Sequence, residues 1–183
     1  MTAGGLTTGA APGTLPNADY WVDKLGLVPT AVGGLFAPTF AGDNQLLHSA
    51  LPERFTGDRR GYSANYYLLQ QGFFLAMHQL NQDELWNFYM GSPVRLHVFG
   101  TSYSTVTIGP DIDAGQALQG VAPHNTWFGG ELVGDEPYVL VGCSLAPGYD
   151  PRDSSRPTAA DIGALVKAFP DQQAIIERLT AGS

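Results

Sequence analysis

Between residues 34 and 147 the chain meets a turn signal every few residues, and this punctuation limits the possible folds more than any other feature. Gln71-Gly72, Gly91-Ser92-Pro93, the stretch from Gly100 to Ser102, Gly109-Pro110 and Gly134-Asp135 combine residues that supply left-handed backbone with residues that cannot continue a ladder. The segments between them are short and rich in β-branched and aromatic residues. They predict strands over residues 35–40, 63–70, 73–80, 84–90, 94–99, 104–108, 118–122, 126–132 and 138–145. Many short strands at this spacing read as an all-β sandwich or barrel. The 23 Gly and 13 Pro agree with a turn-rich chain. Residues 41–62 interrupt the pattern with a long polar connection, expected to be a hairpin or a lid over a barrel mouth.

Helical signals flank this β core. Asn17 is a good N-cap, Tyr20, Trp21, Lys24 and Leu25 recur at helical spacing, and Gly26 is a natural stop. Near the other end, Thr158 and Asp161 have the spacing of a capping box, and Ile162, Leu165, Val166 and Phe169 line one face. Pro170 breaks that helix, and Ile175, Ile176 and Leu179 begin another. Residues 17–183 are therefore expected to form one domain, with a β core over about 34–147 and two outer helices over about 158–180. Residues 1–16, without Lys, Arg or an apolar block, read as a flexible tail.

Composition narrows the function. With 44% hydrophobic and 14% charged residues the chain can build a core and is not of the disordered class. A net charge of -8 disfavours nucleic acid and anionic membrane as partners, so neither is expected. No apolar run reaches the length of a membrane helix. The lone cysteine, Cys143, cannot close an internal disulfide; a buried structural thiol in a reducing cytoplasm is the simple reading.

One stretch carries chemistry. Gly72, His78, Glu84 and Gly91 stand at the spacing of the first cupin motif, G-x5-H-x-H-x(3,4)-E-x6-G, with Leu80 in place of the second His. The second motif has its counterpart at Pro123-His124-Asn125, which puts Phe128 at the position of the last His ligand. Four segments, "YWVDKLGLVPTAVGGLFAPTF", "DELWNFYMGSPVRLHVF", "VTIGPDIDAGQALQGVAPHNTWFGGEL" and "YVLVGCSLAPGYD", make the chain resemble the cupin-5 family from about Tyr20 to Leu179. The resemblance implies an RmlC-like jelly roll, a double-stranded β-helix, paired into a homodimer. The family's His-Pro-Glu is Thr30-Ala31-Val32 here, the His of its Trp-His-Phe-Tyr is Asn87, the Asp after its turn glycine is Ser92, and its Ala-Gly before Thr-Trp is His124-Asn125. Lost polar groups and a new His imply a re-purposed pocket.

The resemblance also supplies a register. Side chains alternate along a strand, so Glu84, Trp86 and Phe88 share one face and His78 shares one with Phe74; in the cupin register these point inward. Trp127 and Asn125 form a further set, and Asn65, Tyr67 and Gln119 complete the expected substrate-binding residues. His78 and Glu84 are the expected catalytic pair, His78 as general acid or base and Glu84 orienting it. Leu80 and Phe128 cannot coordinate, so neither a metal nor another cofactor is expected. These residues predict an isomerase, epimerase, cyclase or lyase acting on a small molecule in the barrel without a metal. Two alternatives stay open: a cupin that binds a ligand without turnover, and a metal-dependent oxygenase or lyase with ligands elsewhere.

Overall fold

The computed structural model describes residues 15–181. The expected tail falls, apart from Leu15 and Pro16, outside the described residues. In chain order the elements are α1 (Ala18–Leu25), β1 (Val28–Pro29), β2 (Leu35–Ala41), β3 (Gln45–Leu46), β4 (Arg59–Arg60), β5 (Ser63–Gln70), β6 (Phe74–Leu80), β7 (Glu84–Gly91), β8 (Val94–Phe99), β9 (Tyr103–Ile108), β10 (Gln119–Ala122), β11 (Trp127–Leu132), β12 (Tyr138–Leu145), β13 (Ser154–Ser155), α2 (Ala159–Ala168) and α3 (Gln173–Thr180). One sheet has the order β1-β2-β5-β12-β7-β10 and the other β13-β6-β11-β8-β9. Their inner faces share one apolar core that includes Leu69, Leu75, Leu96, Phe128 and Val141. This is the jelly roll that the strand spacing and the motifs predict.

Helices cover the outer faces. Asn17 Oδ1 accepts from the Tyr20 amide at 2.9 Å, and Gly26 closes α1 in the left-handed region at φ 64°. Trp21 and Leu25 of α1 then pack on Leu68, Tyr138 and Leu140 of the six-stranded sheet. The Trp21 Nε1–H donates to the Tyr138 hydroxyl at 2.8 Å, which in turn donates to the Pro16 carbonyl at 2.8 Å. The Thr158–Asp161 capping box opens α2 as expected. Leu165 of α2 and Ile176 and Leu179 of α3 bury Met77 and Phe99 on the outside of the other sheet. None of the helices among the described residues is long and apolar enough to cross a membrane.

Residues 41–62 contain a hairpin, β3 against β4, and its anchor is a buried ion pair. Arg59 donates to Asp153 through Nε at 2.7 Å and Nη2 at 2.6 Å, and both side chains are 0% exposed. Gln82 Nε2 adds a third bond to this carboxylate at 2.6 Å, and the Phe55 ring lies 5.6 Å from the guanidinium. The segment "TGDRRGY" is thus tied through the Arg59–Asp153 pair to the turn after β6 and to the chain entering β13. His97 is also buried. Its ring lies between the Tyr103 hydroxyl at 2.8 Å and Glu131 Oε1 at 3.3 Å, and Glu131 continues to Arg178 of α3 at 2.9 Å.

Candidate functional site

A cavity of about 380 Å³ opens at the end of the barrel where β5 and β7 begin and β6 and β12 finish. Asn65 and Tyr67 of β5, Glu84 and Trp86 of β7, and Cys143 and Leu145 of β12 form one wall. Leu75, His78 and Leu80 of β6 form the other. A strap over residues 29–34 crosses one side. The strap is held by Tyr67, whose hydroxyl donates to the Gly33 carbonyl at 2.9 Å, and by the Ala76 amide, which donates to the Val32 carbonyl at 2.7 Å. Gly33 and Gly34 both have positive φ, at 87° and 70°, and a Cβ at Gly34 would collide with the Tyr67 hydroxyl. The pair is a tight turn that lets the strap approach the wall.

The structure gathers five of the expected residues around this cavity, Asn65, Tyr67, His78, Glu84 and Trp86, while Phe88 packs into the same core without lining it. Phe74 and Trp127 are elsewhere, in the cluster under α2 and α3. The reason is a β-bulge. On β11, Phe128 pairs with His78 and Gly130 with Leu75, so Ala76 and Met77 together oppose Gly129. The extra residue inverts parity, which turns Leu75 inward and Phe74 outward while His78 and Leu80 stay inward. On β11 the inward position is Phe128, fully buried against His78, and Trp127 takes the opposite face. Gln119 lies on the outer side, where its Nε2 donates to Asn87 Oδ1 at 2.6 Å. Asn125 is an exposed turn residue with φ 55° whose amide donates to the Leu80 carbonyl at 2.8 Å.

His78 and Glu84 share the cavity, but each has its own partner. The bulged Ala76 presents its carbonyl to His78 Nδ1 at 2.9 Å. A carbonyl only accepts, so Nδ1 carries the proton and Nε2 is left as the acceptor. Burial, with the charge of Arg156 acting in the same direction, lowers the His78 pKa to about 4, and the ring is neutral at pH 7. Glu84 accepts from the Trp86 indole N–H at 2.9 Å. Burial among apolar groups pushes the carboxyl up to about 7, and the indole bond only partly offsets this. Cys143, a free buried thiol in the same wall, is also pushed up by burial and by the nearby Glu84. The expectation that Glu84 orients His78 is therefore replaced by two separately held groups, of which Glu84 titrates near neutrality.

The residues do not fit a metal. A divalent ion in such a site wants three or four His or carboxylate donors. Leu80 fills one motif position with hydrocarbon, and at another the Phe128 ring sits 4.2 Å from the His78 ring, centroid to centroid. Among the described residues no group of three His, Cys, Asp or Glu converges on one point. Purified protein is expected to carry well under one transition-metal ion per chain by plasma mass spectrometry; near-unit iron, zinc, manganese or nickel would overturn this assignment.

Other cavity residues carry no signal in the strand pattern. Ser154, Ser155 and Arg156 reach it from the short β13, which pairs with Gln79 and Leu80 at the edge of β6. Tyr149 lies beside them. Of the departures from the family pattern, Thr30-Ala31-Val32 is the one that touches the cavity, because it forms the strap.

Comparison with known proteins agrees with this geometry. A family model described as Cupin superfamily (DUF985), Cupin_5, matches residues 19–156. A hypothetical protein from Leishmania major superposes with a TM-score of 0.78 at 26% identity, covering 89% of this chain and 98% of that one. A crystal structure from Shewanella oneidensis gives a TM-score of 0.76 at 25% identity, covering 91% and 98%. No curated protein matches the chain.

Proposed function

The chain belongs to the Cupin_5 family of the cupin superfamily, and from that premise we propose that it is a metal-independent enzyme that moves a proton within a small, flat substrate, as an isomerase, cyclase or lyase does. One observation carries the reading: the Glu84 carboxyl is buried in an apolar cavity with its pKa pushed up to about 7. A group that is half protonated near neutral pH can take a proton from one position of a substrate and return it to another, which is the requirement for acid–base catalysis at that pH. The Trp86 N–H steadies the ionised form and fixes the carboxyl in the wall. Neutral His78, its proton on Nδ1, offers Nε2 as an acceptor that can orient a substrate hydroxyl. The apolar walls, with the edge-to-face rings of Tyr67 and Trp86 at 5.4 Å, suit a planar body.

The test uses β-tetralone, a flat ketone with acidic α protons, in D2O under proton NMR. The Glu84 carboxylate would take an α proton to give the enolate, exchange it with solvent and return a deuteron. Wild-type protein is expected to speed the exchange, with the rate rising with pH up to about 7 as the base form accumulates. Glu84→Gln is expected to fall toward the buffer rate. No acceleration by wild type, or equal acceleration by Glu84→Gln, would refute the reading. The second reading, a cupin that holds a ligand without turnover, is favoured by the separate anchoring of His78 and Glu84, and it predicts binding of β-tetralone without exchange.

A further inference from the structure

Several polar groups lining the cavity come from one segment, residues 149–156. Leu80, Trp86, Cys143 and Leu145 give it an apolar lining, and none is more than 3% exposed. The rim carries the hydroxyls of Ser154, Ser155 and Tyr149, the last of these residues 48% exposed, together with the guanidinium of Arg156. Arg156 is the single cation among the described lining residues. Its Nη1 donates to the Ala31 carbonyl at 2.9 Å, which sets the group beside the strap. Its charge is felt inside the cavity, where it opposes protonation of His78. The chain as a whole carries a net charge of -8 and repels anions. A cation lining an apolar cavity on such a chain is a local exception, and it follows β13 of one sheet while the buried carboxyl of Glu84 stands on β7 of the other.

We propose that the substrate is a planar, largely apolar organic acid, its anionic group held at the rim by Arg156 with Ser154 and Ser155, and its body against Tyr67 and Trp86 with the reacting carbon toward Glu84. The inference rests on the proton-transfer reading for the role of Glu84, and names the class of molecule on which Glu84 acts. Guanidinium and hydroxyl donors match the plane and lone pairs of a carboxylate. The volume of about 380 Å³ admits a two-ring acid.

Naphthoate and its neutral amide, naphthamide, share a body and differ in charge, so calorimetric titration of both isolates the rim. Wild type is expected to prefer naphthoate by about 10- to 100-fold, the range for hydrogen bonds to a charged group. Arg156→Gln, which keeps a donor for the Ala31 carbonyl, should lose that preference because naphthoate weakens far more than naphthamide, and Arg156→Lys should keep most of it. Should Arg156→Gln fail to fold, wild type in rising salt decides: the preference should shrink as charge is screened while naphthamide binding holds. Equal affinities in wild type, an undiminished preference in Arg156→Gln, a salt-insensitive preference, or binding of neither probe would each overturn the proposal. Tetralone exchange without an acid preference would sink this substrate class and leave the proton-transfer reading standing. An acid preference that depends on Arg156, without exchange, would sink the proton-transfer reading and leave Arg156 as the anion site.

Discussion

Glu84→Gln is expected to gain on the order of 3 kcal/mol of stability relative to wild type as pH rises from 4.5 to about 7. Below pH 4.5 the carboxyl is protonated in both folded and unfolded chains and carries no charge to bury. Between 4.5 and about 7 the unfolded chain ionises while the folded one keeps its proton, so wild-type stability falls as pH rises. Above about 7 both are ionised and the folded state bears the full desolvation cost. Glutamine bears none of it at any pH, and its oxygen can still accept from Trp86. His78 works in the opposite sense. Its pKa is lowered from 6.5 to about 4, so its contribution is present above 6.5 and is lost as pH falls through about 4. The two groups nearly offset each other in the wild type, whose own profile is therefore expected to be shallow. The difference between variant and wild type, from urea unfolding at a series of pH values, isolates Glu84. A pH-independent difference would mean that Glu84 is not buried as a neutral acid.

Asp153→Ala is expected to destabilise the fold by about 3–5 kcal/mol, the usual result of removing one partner from a fully buried ion pair. The Arg59 guanidinium, 0% exposed, would lose two charge-assisted bonds with no water to replace them. Gln82 Nε2 would lose its 2.6 Å partner as well. Such a loss is a large part of the stability of an ordinary domain. It would also loosen the cavity, because Ser154, Ser155 and Arg156 follow directly from Asp153. Replacing both members, Arg59→Met with Asp153→Leu, is expected to recover most of the loss, since no unpaired charge remains. An unfolding free energy for Asp153→Ala within about 1 kcal/mol of wild type, the range of a surface pair, would contradict the role assigned to this anchor.

Glu84 and the Arg59–Asp153 pair differ in how far the sequence foreshadows them. The strands at 63–70, 94–99 and 138–145 are legible to the residue, because Gly or Pro stands close to both ends of each and leaves little freedom to extend. Asn17, Gly26, Thr158 and Asp161 are legible for a similar reason: caps are local chemistry. The inward face of β7 follows from simple alternation, and with it Glu84 and Trp86. Alternation misleads on β6, where the bulge at Ala76 and Met77 is set by pairing with β11 and by the strap, neither of which is encoded in the strand's own pattern. The same bulge frees the carbonyl that holds His78, so the separation of His78 from Glu84 was hidden for the same cause. The pairing of Arg59 with Asp153 joins residues 94 positions apart, and a lone arginine before Pro157 gives no sign that it will reach the rim. Such contacts are products of closure of the barrel, and no local rule contains them.

Proton transfer in this barrel turns on the ionisation of one carboxyl, and carbon NMR of protein labelled at the Glu side-chain carboxyl reads it directly. The Glu84 resonance, identified by its absence from Glu84→Gln, is expected to titrate with a midpoint of about 7. A midpoint at the ordinary value near 4.5 would contradict a buried proton carrier in this barrel.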